Sequence, residues 1–188
     1  MRKAFISAAA LALILLFSAM LFSAGPGARA AEQLSIEAFY GNFQGSGIAR
    51  TDDSDYFGLT LRDFDVTVQP EGAGISIAWT TVLRQGGDVD SPNVRRKSNS
   101  MIFEPSQLPG IYRAVNSGDA LAGQPVAWAY VQGYTLVLHS LVILDNGDYV
   151  MQTYNRTLSD MGMALEFISI QNGETTRKVE GRLTKQSN

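Results

Sequence analysis

Between Gly41 and Lys185 the sequence keeps returning to a two-residue period, and each run is short and ends at a turn. Alternation of this kind puts successive side chains on opposite faces of a strand. Within Ile75 to Arg84, Ile75, Ile77, Trp79, Thr81 and Leu83 share one face. Within Thr175 to Lys185, Val179, Gly181 and Leu183 oppose Lys178, Glu180 and Arg182. The runs are separated by polar or Gly/Pro-rich pieces such as 70–74, 85–93, 106–109 and 116–123. Asn146-Gly147 and Asn172-Gly173 are tight-hairpin signals, because both residues accept a positive φ. After residue 40 no stretch sustains a 3.6-residue period, and only Ser35 to Phe39 reads as a short helical turn. The pattern predicts an all-β chain: an antiparallel up-and-down barrel of about 8–10 strands, in which closure removes exposed edges. A sandwich with Greek-key crossovers would need longer connections than these.

One run changes phase. From Tyr56, the apolar residues Phe57, Leu59 and Leu61 occupy odd positions, then Phe64, Val66 and Val68 occupy even ones. A bulge near Arg62-Asp63 would keep both halves facing the core. Asp63 and Asp65 then belong to the outer face.

The N-terminus has the layout of an export signal. Met1-Arg2-Lys3 is basic, residues 4–22 are almost wholly apolar, 23–27 break a helix, and Ala28-Arg29-Ala30 offers small residues for cleavage before Ala31. The expected division is a signal peptide over 1–30 and a single barrel domain over 31–188, periplasmic or secreted, with no stable membrane insertion after cleavage. Residues 1–30 hold three of the 15 Lys+Arg (Arg2, Lys3, Arg29) and none of the 18 Asp+Glu, so the remainder has a formal charge of −6. An acidic chain without a basic stripe does not suit nucleic acid. There are no cysteines, which excludes disulfides, a cysteine nucleophile and a lipidated N-terminal cysteine.

Phe39 to Gly47 reads F-Y-G-N-F-Q-G-S-G and opens the first strand, Asn42 to Arg50. Gly41-Asn42-Phe43 resembles the G-x-W signature of lipocalins and their calycin relatives, which include the fatty-acid-binding proteins. With Gly45-Ser46-Gly47 it is similar to the G-x-W-x-G-x-G opening of nitrobindin-like barrels. The resemblance implies a structural role in barrel closure. Phe43, in place of Trp, would plug one end, while Gly41, Gly45 and Gly47 would allow bending and close packing. It also implies an arginine of the last strand over the aromatic ring. Arg177 and Arg182 are the candidates, and alternation favours Arg177.

Residues with chemistry are sparse. His139 is the only histidine and lies in an apolar run. Nitrobindin-like barrels hold haem through one histidine, so His139 is the single candidate haem ligand. No cofactor or metal is otherwise expected. Tyr154 and Arg156, two apart in a strand, point to the same side. Fatty-acid-binding proteins hold a ligand carboxylate with an interior arginine and tyrosine, and Arg offers a bidentate fork for that task. The neighbours Val150 and Gln152 leave it open whether that side is inside or outside. Asp52, Asp53 and Asp55 lack the Gly and distal Glu of an EF-hand loop and read as a solvated turn. Arg95-Arg96-Lys97 reads as a solvated strand start. No Ser-His-Asp set and no phosphate loop are present.

The expected function is binding of a small apolar or amphipathic ligand inside the barrel. By alternation the lining is Trp79, Trp128, Tyr130, Leu136, Leu138, Tyr154, Arg156 and Phe167. The alternatives are a filled barrel acting on a protein partner, as an envelope interaction protein or inhibitor, and a cavity enzyme of the barrel type.

Overall fold

The computed structural model describes residues 33–51, 59–84 and 94–187. The export signal, its cleavage site and the Asp52–Asp55 turn lie outside the described residues. Ten strands follow one another: β1 (Gly41–Thr51), β2 (Leu59–Glu71), β3 (Gly74–Arg84), β4 (Val94–Pro105), β5 (Ile111–Ala114), β6 (Val126–Gln132), β7 (Thr135–Ile143), β8 (Tyr149–Ser159), β9 (Gly162–Gln171) and β10 (Glu174–Lys185). Each pairs antiparallel with its neighbours in sequence, and β10 returns to pair with β1. The result is a closed up-and-down barrel. Two short 3-10 turns, Ile36–Phe39 and Ala120–Ala122, complete the described elements.

The turns follow local chemistry. Asn172-Gly173 is a two-residue hairpin with φ of 50° and 90° at its two positions. Asn146-Gly147 does less than its sequence suggests. It lies within a longer loop between β7 and β8, where Leu144 N–H donates to the Asp148 carbonyl at 2.7 Å. Only Gly147 of the pair has a positive φ there.

Closure depends on a close approach of β1 and β10. Gly47 faces Gly181 across the seam, and Gly45 faces Leu183. A Cβ on Gly45 or Gly47 would run into the backbone of β10, and one on Gly181 would lie 3.2 Å from the Phe64 ring. Side chains at Gly45 and Gly47 would force the seam apart, and one at Gly181 would crowd the Phe64 ring.

One end of the barrel is stoppered. The turn Ile36–Phe39 tucks Phe39 inside, with Phe43 directly behind it; their exposures are 0% and 1%. The lead-in chain is tied across this end, where Leu34 N–H donates to the Gly133 carbonyl at 3.0 Å. Val66, Val68, Ile75, Ile77 and Phe103 pack around the plug. The cation over the Phe43 ring is Lys185, with Nζ 5.7 Å from the centroid. Neither arginine expected there reaches it. Arg182 is exposed on the outer face, and Arg177 lies towards the opposite end, opposite Thr51 at the far end of β1.

The expected bulge near Arg62-Asp63 is absent. The register of β2 against both β1 and β3 runs unbroken through these residues. Arg62 simply follows Phe64 and Val66 into the interior, while Leu61 turns outward. The phase change came from a polar residue on the inner face. The irregularity sits instead in β10, between Thr175 and Arg177.

Phe43→Ala should lower the unfolding free energy by about 3–5 kcal/mol, the usual range for truncating a buried Phe. Urea denaturation measures it, and a variant as stable as the wild type would remove Phe43 from the closure.

Candidate functional site: a cationic cavity inside the barrel

Above the plug the interior changes character. β8 directs Tyr154 and Arg156 inward, β3 directs Trp79, and β9 directs Phe167. The rings form a tilted stack. Trp79 and Tyr154 centroids are 5.2 Å apart, and Tyr154 and Phe167 centroids 4.7 Å apart. The Arg156 guanidinium lies against this stack, its Cζ 5.4 Å from the Trp79 ring and 5.5 Å from the Tyr154 ring. Such contacts contribute roughly 0.5–2 kcal/mol each.

Among the described residues, those two ring faces are what the guanidinium packs on. Arg156 is 1% exposed, and among the described residues no group accepts a hydrogen bond from its Nε, Nη1 or Nη2. The Tyr154 hydroxyl is nearby but donates to Gln152 Oε1 at 3.1 Å. An unpaired buried charge is expensive, because water's solvation is lost and nothing replaces it. Burial accordingly pulls the Arg156 pKa down to about 10, against the opposing effect of Tyr154. The group stays cationic at neutral pH. From about pH 10 up to the ordinary arginine range the unfolded chain holds this proton and the folded chain does not, so this group's contribution to stability rises with pH there. Below about pH 10 the folded state carries the full burden.

The hollow beside Arg156 has a volume of about 100 Å³. Its wall also includes Arg62, Lys97 and Arg177, together with Phe64, Val179 and Asn99. It reaches the surface through the exposed residues Lys97, Asn99 and Arg177. This mouth is the end from which the connections after β1 and after β3 leave, opposite the plug. Burial lowers the Arg62 pKa, and the Arg177 charge lowers it further. The Tyr154 hydroxyl is raised by burial, against the pull of Arg156 and Arg177. A larger depression of about 920 Å³ lies on the other side of the wall, across β1, β10, β9, β8 and β7 to the end of β6. It is an open surface crossed by Ile48, Glu166 and Glu180, and has no buried polar group directed into it.

The residues expected from alternation divide into three groups. Trp79, Tyr154, Arg156 and Phe167 meet at the cavity. Leu136 and Leu138 face inward but belong to the packed core. Trp128 and Tyr130 face outward: β6 turns Ala127 and Ala129 inside, at 4% and 0% exposure. His139 sits between these two outer rings, 5.0 Å from Trp128 and 5.8 Å from Tyr130. Its Nδ1 is 3.0 Å from Thr153 Oγ1 and its Nε2 is 3.4 Å from the Tyr130 hydroxyl. A histidine on the outer wall with both nitrogens occupied does not fit an interior haem. Among the described residues no group of three His, Cys, Asp or Glu could hold a metal.

Sequence reasoning missed Arg62, Lys97 and Arg177 as cavity residues. For Arg62 the signal was present, since it shares the even-numbered face of Phe64 and Val66. For Lys97 it was the register with the apolar face of β3, where Lys97 opposes Thr81.

Arg156→Met should leave the unfolding free energy unchanged or raise it, since it removes an unpaired buried charge and keeps an apolar stem. A loss of more than about 4 kcal/mol, larger than the two ring contacts explain, would make the guanidinium a structural element.

No protein-family model matches the sequence, and no curated protein matches it. Among solved structures, the S-type phycobiliprotein lyase CPES from Guillardia theta is similar, with a TM-score of 0.49 and 13% identity over 82% of this chain and 94% of that chain.

Proposed function

We propose that this chain is an exported barrel, periplasmic or secreted, that binds a small amphipathic molecule by its anionic end. The observation that carries the reading is Arg156: wholly buried, unpartnered, and set against aromatic rings beside a hollow. Water can fill a polar cavity of this size, but it does not neutralise a charge. An anion does both, and its bonds to Arg156 form in a medium where charge-assisted hydrogen bonds are strong.

Volume limits what goes inside. An apolar cavity of about 150 Å³ admits benzene. At about 100 Å³ the hollow takes a charged head and a few further atoms, not a whole acyl chain. The rest of a larger ligand lies along the mouth. The filled lower half of the barrel gives the protein its stability, and the upper half gives it a receptor.

Trp79 reports on the site once the outer tryptophan is removed, because the chain has two. In a Trp128→Phe background, benzoate and decanoate should shift Trp79 emission saturably, and Arg156→Met should weaken that response by about tenfold or more. A response unchanged by Arg156→Met overturns the reading. For export, the protein recovered from the cell envelope or medium should begin at Ala31 by intact mass. A chain that retains residues 1–30 there would make the apolar segment an anchor.

A further inference from the structure

We infer that the anion is doubly charged, and specifically that the head group is a phosphate monoester. This rests on the reading above and specifies what meets Arg156. Four cations line the hollow, Arg62, Lys97, Arg156 and Arg177, and no Asp or Glu among the described residues lines it.

The strand register explains how residues so far apart in sequence come together. Arg156 pairs with Leu165, Leu165 with Gly181, Gly181 with Gly47, and Gly47 with Arg62. All five lie in one row across the wall, so the two guanidinium-bearing positions flank the closing seam. Between them the inner face carries only Leu165 and two glycines. Arg177 stands nearer the mouth on β10, and Val179 and Ala49 are the inward neighbours at the next level. It lines the same hollow as Arg62, Lys97, Tyr154 and Arg156, and its charge acts to lower the pKa of both Arg62 and Tyr154. The cations therefore form one site, not separate surface groups.

A carboxylate would answer one of these charges. A phosphate monoester brings about −1.5 to −2 at neutral pH on three acceptor oxygens. Guanidinium forks match phosphate oxygens in geometry as well as charge. A dicarboxylate spreads its two charges over separate carbons, whereas a phosphate monoester carries both on one centre, which suits cations that line one hollow of about 100 Å³. A phosphate monoester can be a soluble metabolite or the head of a phosphatidate-type lipid, and both present the same group.

Calorimetric titration of the purified protein with three ligands tests this: phenyl phosphate, its singly charged methyl ester, and benzoate. At about pH 7.5 phenyl phosphate should bind about tenfold tighter than either monoanion, and the advantage should shrink near pH 5 as the second phosphate proton returns. Arg62→Gln and Arg177→Gln should each reduce the ratio of phenyl phosphate to benzoate affinity. Arg96→Gln, an equal charge change on the outside of β4, should leave that ratio unchanged. Phosphatidylcholine vesicles with and without phosphatidate separate the two sources. Sedimentation with phosphatidate alone, lost in Arg62→Gln, assigns a lipid. Phenyl phosphate binding without sedimentation assigns a soluble ester. Equal affinity for phenyl phosphate and its methyl ester overturns the inference and leaves anion binding standing. Failure of all three ligands removes the anion site itself.

Discussion

Everything in this molecule depends on two strands lying closer together than side chains normally permit. β1 and β10 close the barrel through Gly45, Gly47 and Gly181, where a Cβ would meet backbone or the Phe64 ring. Without that seam the sheet would have two open edges, each a template for pairing with another chain. With it, every strand has two neighbours, and the inner face becomes an enclosed volume in which burial is enforced by geometry. The seam thus precedes both the plug and the cavity. It creates the inside that Phe39 and Phe43 fill at one end and that Arg156 occupies further up.

The two ends of that inside follow opposite physics. Near the plug, apolar side chains remove surface from water and nothing polar needs a partner. Near the mouth, four cations share a wall with aromatic rings. The free protein gains nothing from collecting like charges at low dielectric, where mutual repulsion and lost hydration add. A fold selected for stability alone would place leucine at residue 156, as it does at the paired Leu136 and Leu165. The departure from that rule is gathered around one hollow in the half of the barrel away from the plug, which is what a binding site built into an otherwise ordinary core looks like.

The fold was legible because alternation and turn chemistry are local. A range of about 8–10 strands, their antiparallel order and the Asn172-Gly173 hairpin could be taken from short stretches without knowing what faces what, while the exact number of strands could not. The inner face was legible only where hydrophobicity and direction agree, as in Ile75, Ile77 and Trp79. β6 shows the failure: Val126-Ala127-Trp128-Ala129-Tyr130 alternates cleanly, but the interior takes the alanines and leaves the rings outside. Size, not polarity, sorts the faces there, and the space available is set by strands far away in sequence. Arg62 fails for the converse reason. A charged residue on an apolar face reads as a register error until the cavity that needs it is known. Lys185 over Phe43 was hidden because the partner of an aromatic plug depends on where β10 ends against β1.

The plug has a consequence for traffic. Phe39 and Phe43 stopper one end, and among the described residues the most deeply buried charge above them is the Arg156 guanidinium. A ligand held as proposed goes in head first and leaves tail first. The part of it that another molecule can touch while it is still held is then the apolar tail, and a receiver of that ligand would need to recognise the tail, not the head.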